Sequence, residues 1–277
     1  MTGSLVFRRW TVDGVRLTVD DDGFGRGETA VIAVRALFVA LGLIVVWQVV
    51  IFVFAPPSFM LPPPAEVLAA LRERPDLWRV HAVTTATETV IGLVTGTVLG
   101  MTLALLMSFV PTTRRMLLSL MVVSQALPVF AIAPLLVLWF GYGLGSKIVM
   151  ATIAIFFPVA SAFNDALTRT DGQLIDLARL YGASRVQQVM VLRIPAALPG
   201  LITGIRLAAV YAPIGALIGE WVGASSGLGY IMLQANARSQ TDVMFAALFL
   251  LAAMSVLLRA IIDLSTRNLT PWVPETA

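Results

Sequence analysis

One run of residues in this chain has the spacing of a known catalytic motif. Gly223 to Gly227 reads GASSG, which fits the GxSxG pattern of serine hydrolases. That pattern carries chemistry only where the serine lies on a strand–turn–helix elbow with a histidine as base. The single histidine is His81, so a dyad with Ser225 or Ser226 is a remote alternative for an intramembrane hydrolase. We interpret the run as a flexible turn.

Other catalytic and metal-binding patterns are absent from the sequence. No GxxxxGK[ST] motif for nucleotide phosphates occurs, and the nearest run, GYGLGSK, has the wrong spacing. With one histidine and no cysteine, a His-rich or Cys/His metal site and a disulfide are excluded. A process driven by ATP would therefore need a separate ATPase subunit.

The composition is typical of an integral membrane protein. The 277 residues are 58% hydrophobic and 13% charged, and the mean hydropathy is +0.88. A soluble domain of this length would carry far more charge. The formal net charge of +3 is small, and we expect no nucleic-acid partner.

Six apolar runs predict about six transmembrane helices, near 31–54, 82–110, 117–140, 148–164, 198–221 and 243–264. Fewer Lys and Arg fall in the predicted outer loops, at Arg72, Arg74, Arg79, Lys147 and Arg238, than in the inner ones. The positive-inside rule then places both termini in the cytoplasm. We predict an all-α integral membrane fold with a polar N-terminal segment at 1–30, a hairpin around Asp13-Gly14 or disordered. A transmembrane domain follows at 31–265, and a cytoplasmic tail at 266–277.

Prolines in the third and fifth runs are candidates for breaks in the helices. Pro128 and Pro134 remove backbone donors from the third run, and in lipid the freed carbonyls need protein or water as partners. Gln125 lies one turn before Pro128, and Tyr211 and Pro213 fall together in the fifth run. These residues predict either an ordinary kink or the lining of a polar path.

Charged residues in the apolar runs are the other candidates for function. Arg206 lies about 12 Å inside the fifth run, where a charge costs on the order of 3 kcal/mol. Arg259 and Asp263 are one turn apart and should form an ion pair. Glu220, at the outer end of the fifth run, should face outward together with Ser225.

Glycines in the second run predict close helix packing. Gly92, Gly96 and Gly100 recur every four residues, a spacing that lets helix backbones approach closely in membranes. Before this run, Ala65 to Arg72 reads as a short helix.

A polar island, Asp176 to Pro195, separates the fourth and fifth runs. The residues Leu174, Leu177, Ala178 and Tyr181 form one face of a first helix. Asp171 can cap its start, and Gly182 can end it in a left-handed conformation. Ser184 and Gln187 then form a capping box for a second helix, which we expect to end at Pro195. From this pattern the two helices are either a lever fixed to the spans on both sides or a pair of amphipathic helices lying on lipid.

The island resembles the EAA loop of binding-protein-dependent ABC importer permeases, the coupling helix that docks on the ATPase subunit. The matching order is acidic–x–Ala–x–x–x–Gly, nine residues, then aliphatic–x–aliphatic–Pro, at Asp176, Ala178, Gly182, Leu192, Ile194 and Pro195. Asp176 stands where the family usually has Glu, and Leu177 where it usually has Ala.

The resemblance extends from about Leu61 to the C-terminus. LPPPAEVL, LVLWFGYG, the EAA-like loop and GASSGLGY follow one another as in the branch of sulfonate, taurine and nitrate importers. The phrases SQALPVFAIAPL, APIGALIGEWVGAS and QANARSQTDVMFAALF look most like hydroxymethylpyrimidine (thiamine-precursor) permeases.

This resemblance implies a permease subunit in a bacterial inner membrane, without catalysis of its own. ATP and Mg would bind a partner ATPase, an external binding protein would deliver the solute, and a second permease copy would complete the importer. The coupling residues would be Asp176, Ala178, Gly182, Ser184, Leu192, Ile194 and Pro195. The path would involve Gln125, Pro128, Arg206, Tyr211 and Pro213, and the binding protein would meet Glu220, Ser225 and Ser226. A scaffold that only recruits a soluble partner through the island is a further alternative.

Overall fold

The structure is a computed structural model that describes the backbone of residues 11–12, 15–16 and 24–270, and the side chains of 38–270 except 40 and 111. The chain divides into two compact units, 1–56 and 57–277. In the first, the strands β1 (Thr11–Val12) and β2 (Val15–Arg16) pair antiparallel, and α1 spans Phe24–Phe54. The structure does not describe the other residues of the predicted N-terminal segment (1–30) and of the predicted tail (266–277). The predicted domain boundaries at 30 and 265 therefore stay predictions.

The secondary-structure elements of the second unit, within its described residues, are all helices. Its elements are α2 (Pro64–Glu73), α3 (Pro75–Phe109), α4 (Pro111–Ala126), α5 (Val129–Phe140), α6 (Leu144–Thr168), α7 (Gly172–Leu180), α8 (Arg185–Gln187), a π-helix (Gln188–Arg193), α9 (Ile194–Gly223), α10 (Leu228–Ala237), α11 (Thr241–Thr266) and a 3₁₀ turn (Arg267–Leu269). Helix α2 confirms the short helix predicted before the second apolar run.

Four helical segments in the described part of the chain are long and apolar enough to cross a membrane. They are α3, α6, the continuous helix from α8 through α9, and α11 with its 3₁₀ turn. Helices α4 and α5 make a fifth if the bent pair counts as one span, and the apolar part of α1 that can be assessed is Leu41–Phe54. The all-α membrane fold is therefore confirmed, while the first of the predicted spans, 31–54, can be assessed only in part.

Helix α6 lies at the centre of the second unit, between α3 and α9. Gly92 and Gly96 of α3 face Ala151 and Ile155 of α6 so closely that a Cβ at either glycine would collide with them. This contact confirms the predicted packing role of the glycines. The buried cluster around it includes Leu93, Ala104, Ile155, Val159, Phe163, Leu201, Ala208 and Ala212.

Lys147 is not in an outer loop, as the charge count assumed. It lies in the first turn of α6, which begins at Leu144 and not near 148, and its side chain is buried. Its Nζ lies 2.8 Å from Oε1 of Glu88 in α3, which is buried as well. The buried carboxylate offsets part of the cost of taking the ammonium group out of water, which allows a charged residue in the buried first turn of the helix.

Of the helix breaks predicted at Pro128, Pro134 and Pro195, the structure confirms only the first. The third run breaks at Pro128, where α4 and α5 meet at an angle of 97°. Pro134 lies inside α5 without interrupting it. Pro195 does not end a helix either, because it lies inside the continuous helix Arg185–Gly223, directly after the π-helical segment. The preceding π-helix, in which Ile194 N–H donates to the carbonyl of Val189 five residues back, shifts the register before the proline.

Candidate functional site

The polar island folds as a helix, a turn and a second helix. Side-chain caps fix the start of each helix, and a glycine forms the turn between them. Asp171 accepts from the N–H of Gln173 at 2.9 Å and caps α7. Gly182 adopts φ of +76° at the end of this helix. Ser184 and Gln187 form the reciprocal capping box, with Ser184 N–H donating to Gln187 Oε1 at 2.7 Å. The local geometry expected for the cap, the stop and the box is therefore present.

Much of the apolar face of α7 is exposed in the described structure. Ile175 is the buried residue of this helix. Leu174 and Leu177 are each 50% exposed, and Tyr181, just beyond the helix, is 84% exposed. Large exposed apolar side chains grouped in this way are typical of a surface that binds a partner protein or a membrane.

A groove of about 410 Å³ separates α7 from the helix that follows. We call it the island groove; its lining residues are Ala178, Tyr181, Gly182, Ala183, Gln187, Gln188, Val191 and Leu192. Three of the predicted coupling residues, Ala178, Gly182 and Leu192, therefore lie together. Ile194 and Pro195 lie in the first turn of α9, beyond the groove.

The charged side of the island is basic. Asp176 forms an exposed ion pair with Arg179, with 2.9 Å between Oδ1 and Nη1. A second cavity, of about 340 Å³, is lined by Arg179, Arg185 and Arg193 together with Gln188 and Val189. An acidic patch on a partner would complement it.

A second candidate site is a cleft of about 560 Å³ between α4, α6 and α9. We call it the α6 cleft; it is lined by Gln125, Ala154, Phe157, Pro158, Ser161, Ala162, Asp165, Leu207 and Tyr211. It brings together Gln125 and Tyr211, which are far apart in sequence and were both predicted to line a path. The α6 residues were missed as a group, although Pro158 and Asp165 in FFPVASAFNDAL are polar or helix-breaking residues at helical spacing.

The other predicted path residues lie elsewhere. Pro128 is at the α4–α5 break and Pro213 is buried within α9. Arg206 Nε lies 2.7 Å from Oδ1 of Asp263, whose other oxygen is 2.8 Å from Arg259 Nε. The expected Arg259–Asp263 pair is thus confirmed, and it also neutralises part of the charge of Arg206.

At the far end of the same helices, side chains from α3 and α9 hold the start of α10. Gly227 N–H donates to His81 Nδ1 at 2.9 Å, and Leu228 N–H donates to Thr85 Oγ1 at 2.8 Å. Gly229 N–H donates to Glu220 Oε2 at 2.5 Å. Because a helix leaves its first N–H groups without internal partners, these three acceptors fix the helix end. We call this arrangement the α10 cap.

Burial in the α10 cap corrects two expectations. Glu220 is 1% exposed and also accepts from Thr85 Oγ1, so it does not face outward as predicted. The Nδ1 atom of His81 is occupied by the backbone, and no hydrogen bond joins His81 to Ser225 or Ser226 in the described structure. A serine–histidine dyad therefore has no geometric support. Within the residues that the structure covers, no cluster of three or more possible metal ligands occurs.

Comparisons with known proteins agree with this architecture. Residues 96–274 match the family described as "Binding-protein-dependent transport system inner membrane component". A "Probable ABC transporter permease protein" of Haemophilus influenzae is 45% identical over 83% of this chain and 94% of its own length. The "Formylaminopyrimidine transport permease protein ThiX" of Halalkalibacterium halodurans is 35% identical over 84% of this chain and 93% of its own.

More distant similarities include a different substrate and a solved fold. The "Taurine transport system permease protein TauC" of Escherichia coli is 31% identical over 85% of this chain and 88% of its own length. An inward-facing structure of the MetNI methionine ABC transporter superposes with a TM-score of 0.62, covering 70% of this chain and 96% of that one. Its sequence identity of 24% supports the fold alone.

Proposed function

Because this chain belongs to the family of inner membrane components of binding-protein-dependent transport systems, we propose that it carries solute through an importer powered by a separate ATPase. The chain is a multi-pass inner membrane protein and an ABC importer permease component. In this proposal both termini and the island face the cytoplasm, ATP and Mg bind the partner ATPase, and two copies of the permease enclose the path. An external binding protein delivers the solute.

The proposed coupling to the ATPase is supported by the exposed apolar face of the island. Leu177 and Tyr181 are held outward by a helix whose two ends are capped, so little ordering is needed before a partner binds. The island also continues without interruption into α9 through the π-helix. A displacement of a docked island would therefore be transmitted directly to a membrane helix that lines the α6 cleft.

We further propose that the solute is a hydroxymethylpyrimidine-type thiamine precursor. The similarity to a permease named for formylaminopyrimidine supports this substrate, while the similarity to a taurine permease favours the alternative of sulfonate, taurine or nitrate. An anion would be served by a free cation along its route. Arg206, the candidate from the sequence, is instead paired with Asp263.

The test is uptake by the complete transporter. The chain is reconstituted in liposomes with an ATPase subunit and a solute-binding protein from the same organism, chosen because they co-purify with it. ATP-dependent accumulation of labelled 4-amino-5-hydroxymethyl-2-methylpyrimidine, competed by the unlabelled compound and not by taurine, methanesulfonate or nitrate, is the expected result. Accumulation of taurine or nitrate instead would assign the other substrate class, and uptake that continues without the ATPase would refute the importer mechanism.

A further inference from the structure

We propose that the α6 cleft selects solutes by charge, admitting neutral or cationic heteroaromatic molecules rich in N–H donors and disfavouring anions, with Asp165 as the discriminating group. This inference rests on the proposed function, since it treats the cleft as part of the solute path. It adds residues of α6 to that path and assigns them a chemical preference.

The polar groups of the cleft lie along one face of α6. Ala154, Pro158, Ser161 and Asp165 recur at helical spacing and all line it. At 1.5 Å per residue, the row from Ala154 to Asp165 is about 16 Å long. A small solute could therefore pass from one polar group to the next without leaving the cleft.

Most of these groups accept hydrogen bonds. Asp165 presents a carboxylate, and Ser161 a hydroxyl group. Pro158 has no N–H, so the carbonyl of Ala154, four residues earlier, lacks its usual helical donor. Because both Ala154 and Pro158 line the cleft, a solute with N–H groups can supply the missing donor.

The walls of the cleft suit a flat ring. Phe157 and Tyr211 line it from α6 and α9. Tyr211 is 47% exposed, so its ring is available for contact with a solute. Aromatic side chains favour stacked or edge contacts with other rings, and this preference does not depend on the charge of the solute.

No basic residue lines the α6 cleft among the residues that the structure describes. Arg206 is engaged with Asp263. Arg169 lies one turn beyond Asp165 but forms no ion pair with it in the described structure. Asp165 is thus the charged residue among those that line the cleft, and an anionic solute there would meet a carboxylate and no lining cation.

The acceptors and aromatic walls of the α6 cleft favour an aminopyrimidine over nitrate, alkanesulfonates and taurine. An aminopyrimidine offers an aromatic ring and amine hydrogens, which match the walls and the acceptors. Nitrate and alkanesulfonates offer only acceptors and a negative charge. Taurine carries an ammonium group that could approach Asp165, but its sulfonate would still lie in a cleft without a basic side chain.

The absence of cysteine allows the charge of the cleft to be measured without any partner protein. Ser161→Cys places one thiol a single turn from Asp165, where side chains are neighbours. Its modification rates with a cationic reagent, 2-(trimethylammonium)ethyl methanethiosulfonate, and an anionic one, 2-sulfonatoethyl methanethiosulfonate, are measured in nanodiscs. The same rates are measured in Ser161→Cys combined with Asp165→Asn, and in Ser161→Cys combined with Asp165→Glu.

We expect the ratio of the cationic to the anionic rate to fall about fivefold when Asp165 becomes Asn, and to change little when it becomes Glu. Gel filtration confirms that each variant is folded. A ratio that stays constant across all three proteins would overturn the proposed role of Asp165, whatever the transporter carries.

Uptake by the complete transporter then tests the selection of solutes. Asp165→Asn should slow uptake of 4-amino-5-hydroxymethyl-2-methylpyrimidine at least fivefold. The control is Asp76→Asn, which changes an exposed carboxylate of α3 outside the cleft and should leave the uptake rate unchanged. Equal uptake by both variants would overturn the inference. Failure of the unmodified transporter to import the pyrimidine, with the charge preference of the thiol intact, would refute the proposed substrate but support the charge selection of the cleft.

Discussion

At the scale of single residues, Gly182 in the island and Glu220 in the α10 cap each meet a different structural requirement. Gly182 turns the chain between α7 and the second helix of the island, with φ of +76° and no atom within 4 Å of where a Cβ would lie. The requirement there is purely one of backbone conformation. At the α10 cap, by contrast, the carboxylate of Glu220 meets donors from Thr85 and Gly229, so the requirement is for two acceptor oxygens.

Replacing Gly182 with Val should destabilise the turn by about 1–2 kcal/mol, because a β-branched residue is strained in the left-handed region. The second helix would then change direction, and the ATPase should co-purify less well. Gly182→Asn is the control, since Asn tolerates this conformation and the site has open space. Equal recovery of the ATPase with the Val and Asn variants would show that the direction of the turn is not important for docking.

Replacing Glu220 with Gln should loosen the start of α10. The amide keeps one acceptor oxygen but turns an N–H₂ group toward a donor, which costs about 1–3 kcal/mol at a buried site. Amide hydrogen exchange of residues 227–231, followed by mass spectrometry, should become about tenfold faster or more. Glu66→Gln, at an exposed position of α2, should leave the exchange unchanged. Similar protection in both variants would mean that Glu220 does not hold this helix end.

At the scale of elements, α6 organises the membrane part because small residues let α3 approach it. The contact at Gly100 is with the backbone of α6, since a Cβ there would lie 2.7 Å from the carbonyl oxygen of Phe156 and 3.0 Å from the nitrogen of Ala160. Backbone atoms cannot move aside as a side-chain end can. The two helices must therefore separate if Gly100 gains a side chain.

Replacing Gly100 with Ala should consequently cost about 1–3 kcal/mol through overpacking. Gly42→Ala, in α1, provides the matched control, since nothing lies within 4 Å of its Cβ position and Ala favours a helix more than Gly does. Thermal unfolding of both variants in the same detergent gives the comparison. A Gly100→Ala protein as stable as Gly42→Ala would show that the α3–α6 contact is looser than the structure indicates.

The elements also show why part of this architecture was predictable from sequence and part was not. The cap at Asp171, the stop at Gly182 and the box at Ser184 depend on residues within a few positions, so their patterns were sufficient. The continuation of the helix through Pro195 depends on a π-helix, which has no comparable signature. The burial of Lys147 and Glu220 depends on partners from α3 more than 50 residues away, and apolar periodicity carries no information about such pairs.

At the scale of the whole molecule, the two candidate sites are connected by one element. The island groove lies at the start of the continuous helix from α8 through α9, and Leu207 and Tyr211 of the same helix line the α6 cleft. A partner that moves the island thus acts on the wall of the cleft. Family membership supports a permease, and this connection explains how a chain without a nucleotide-binding motif could respond to ATP bound elsewhere.

The most direct test of this account is whether the ATPase binds the apolar face of the island. Tyr181→Asp and Tyr142→Asp introduce the same change at side chains that are 84% and 77% exposed, on the island and between α5 and α6 respectively. Each variant is co-expressed with the ATPase, and the amount of ATPase recovered with the purified permease is measured. We predict at least a tenfold loss with Tyr181→Asp and normal recovery with Tyr142→Asp. Normal recovery with Tyr181→Asp, accompanied by normal ATP-dependent uptake, would contradict the account.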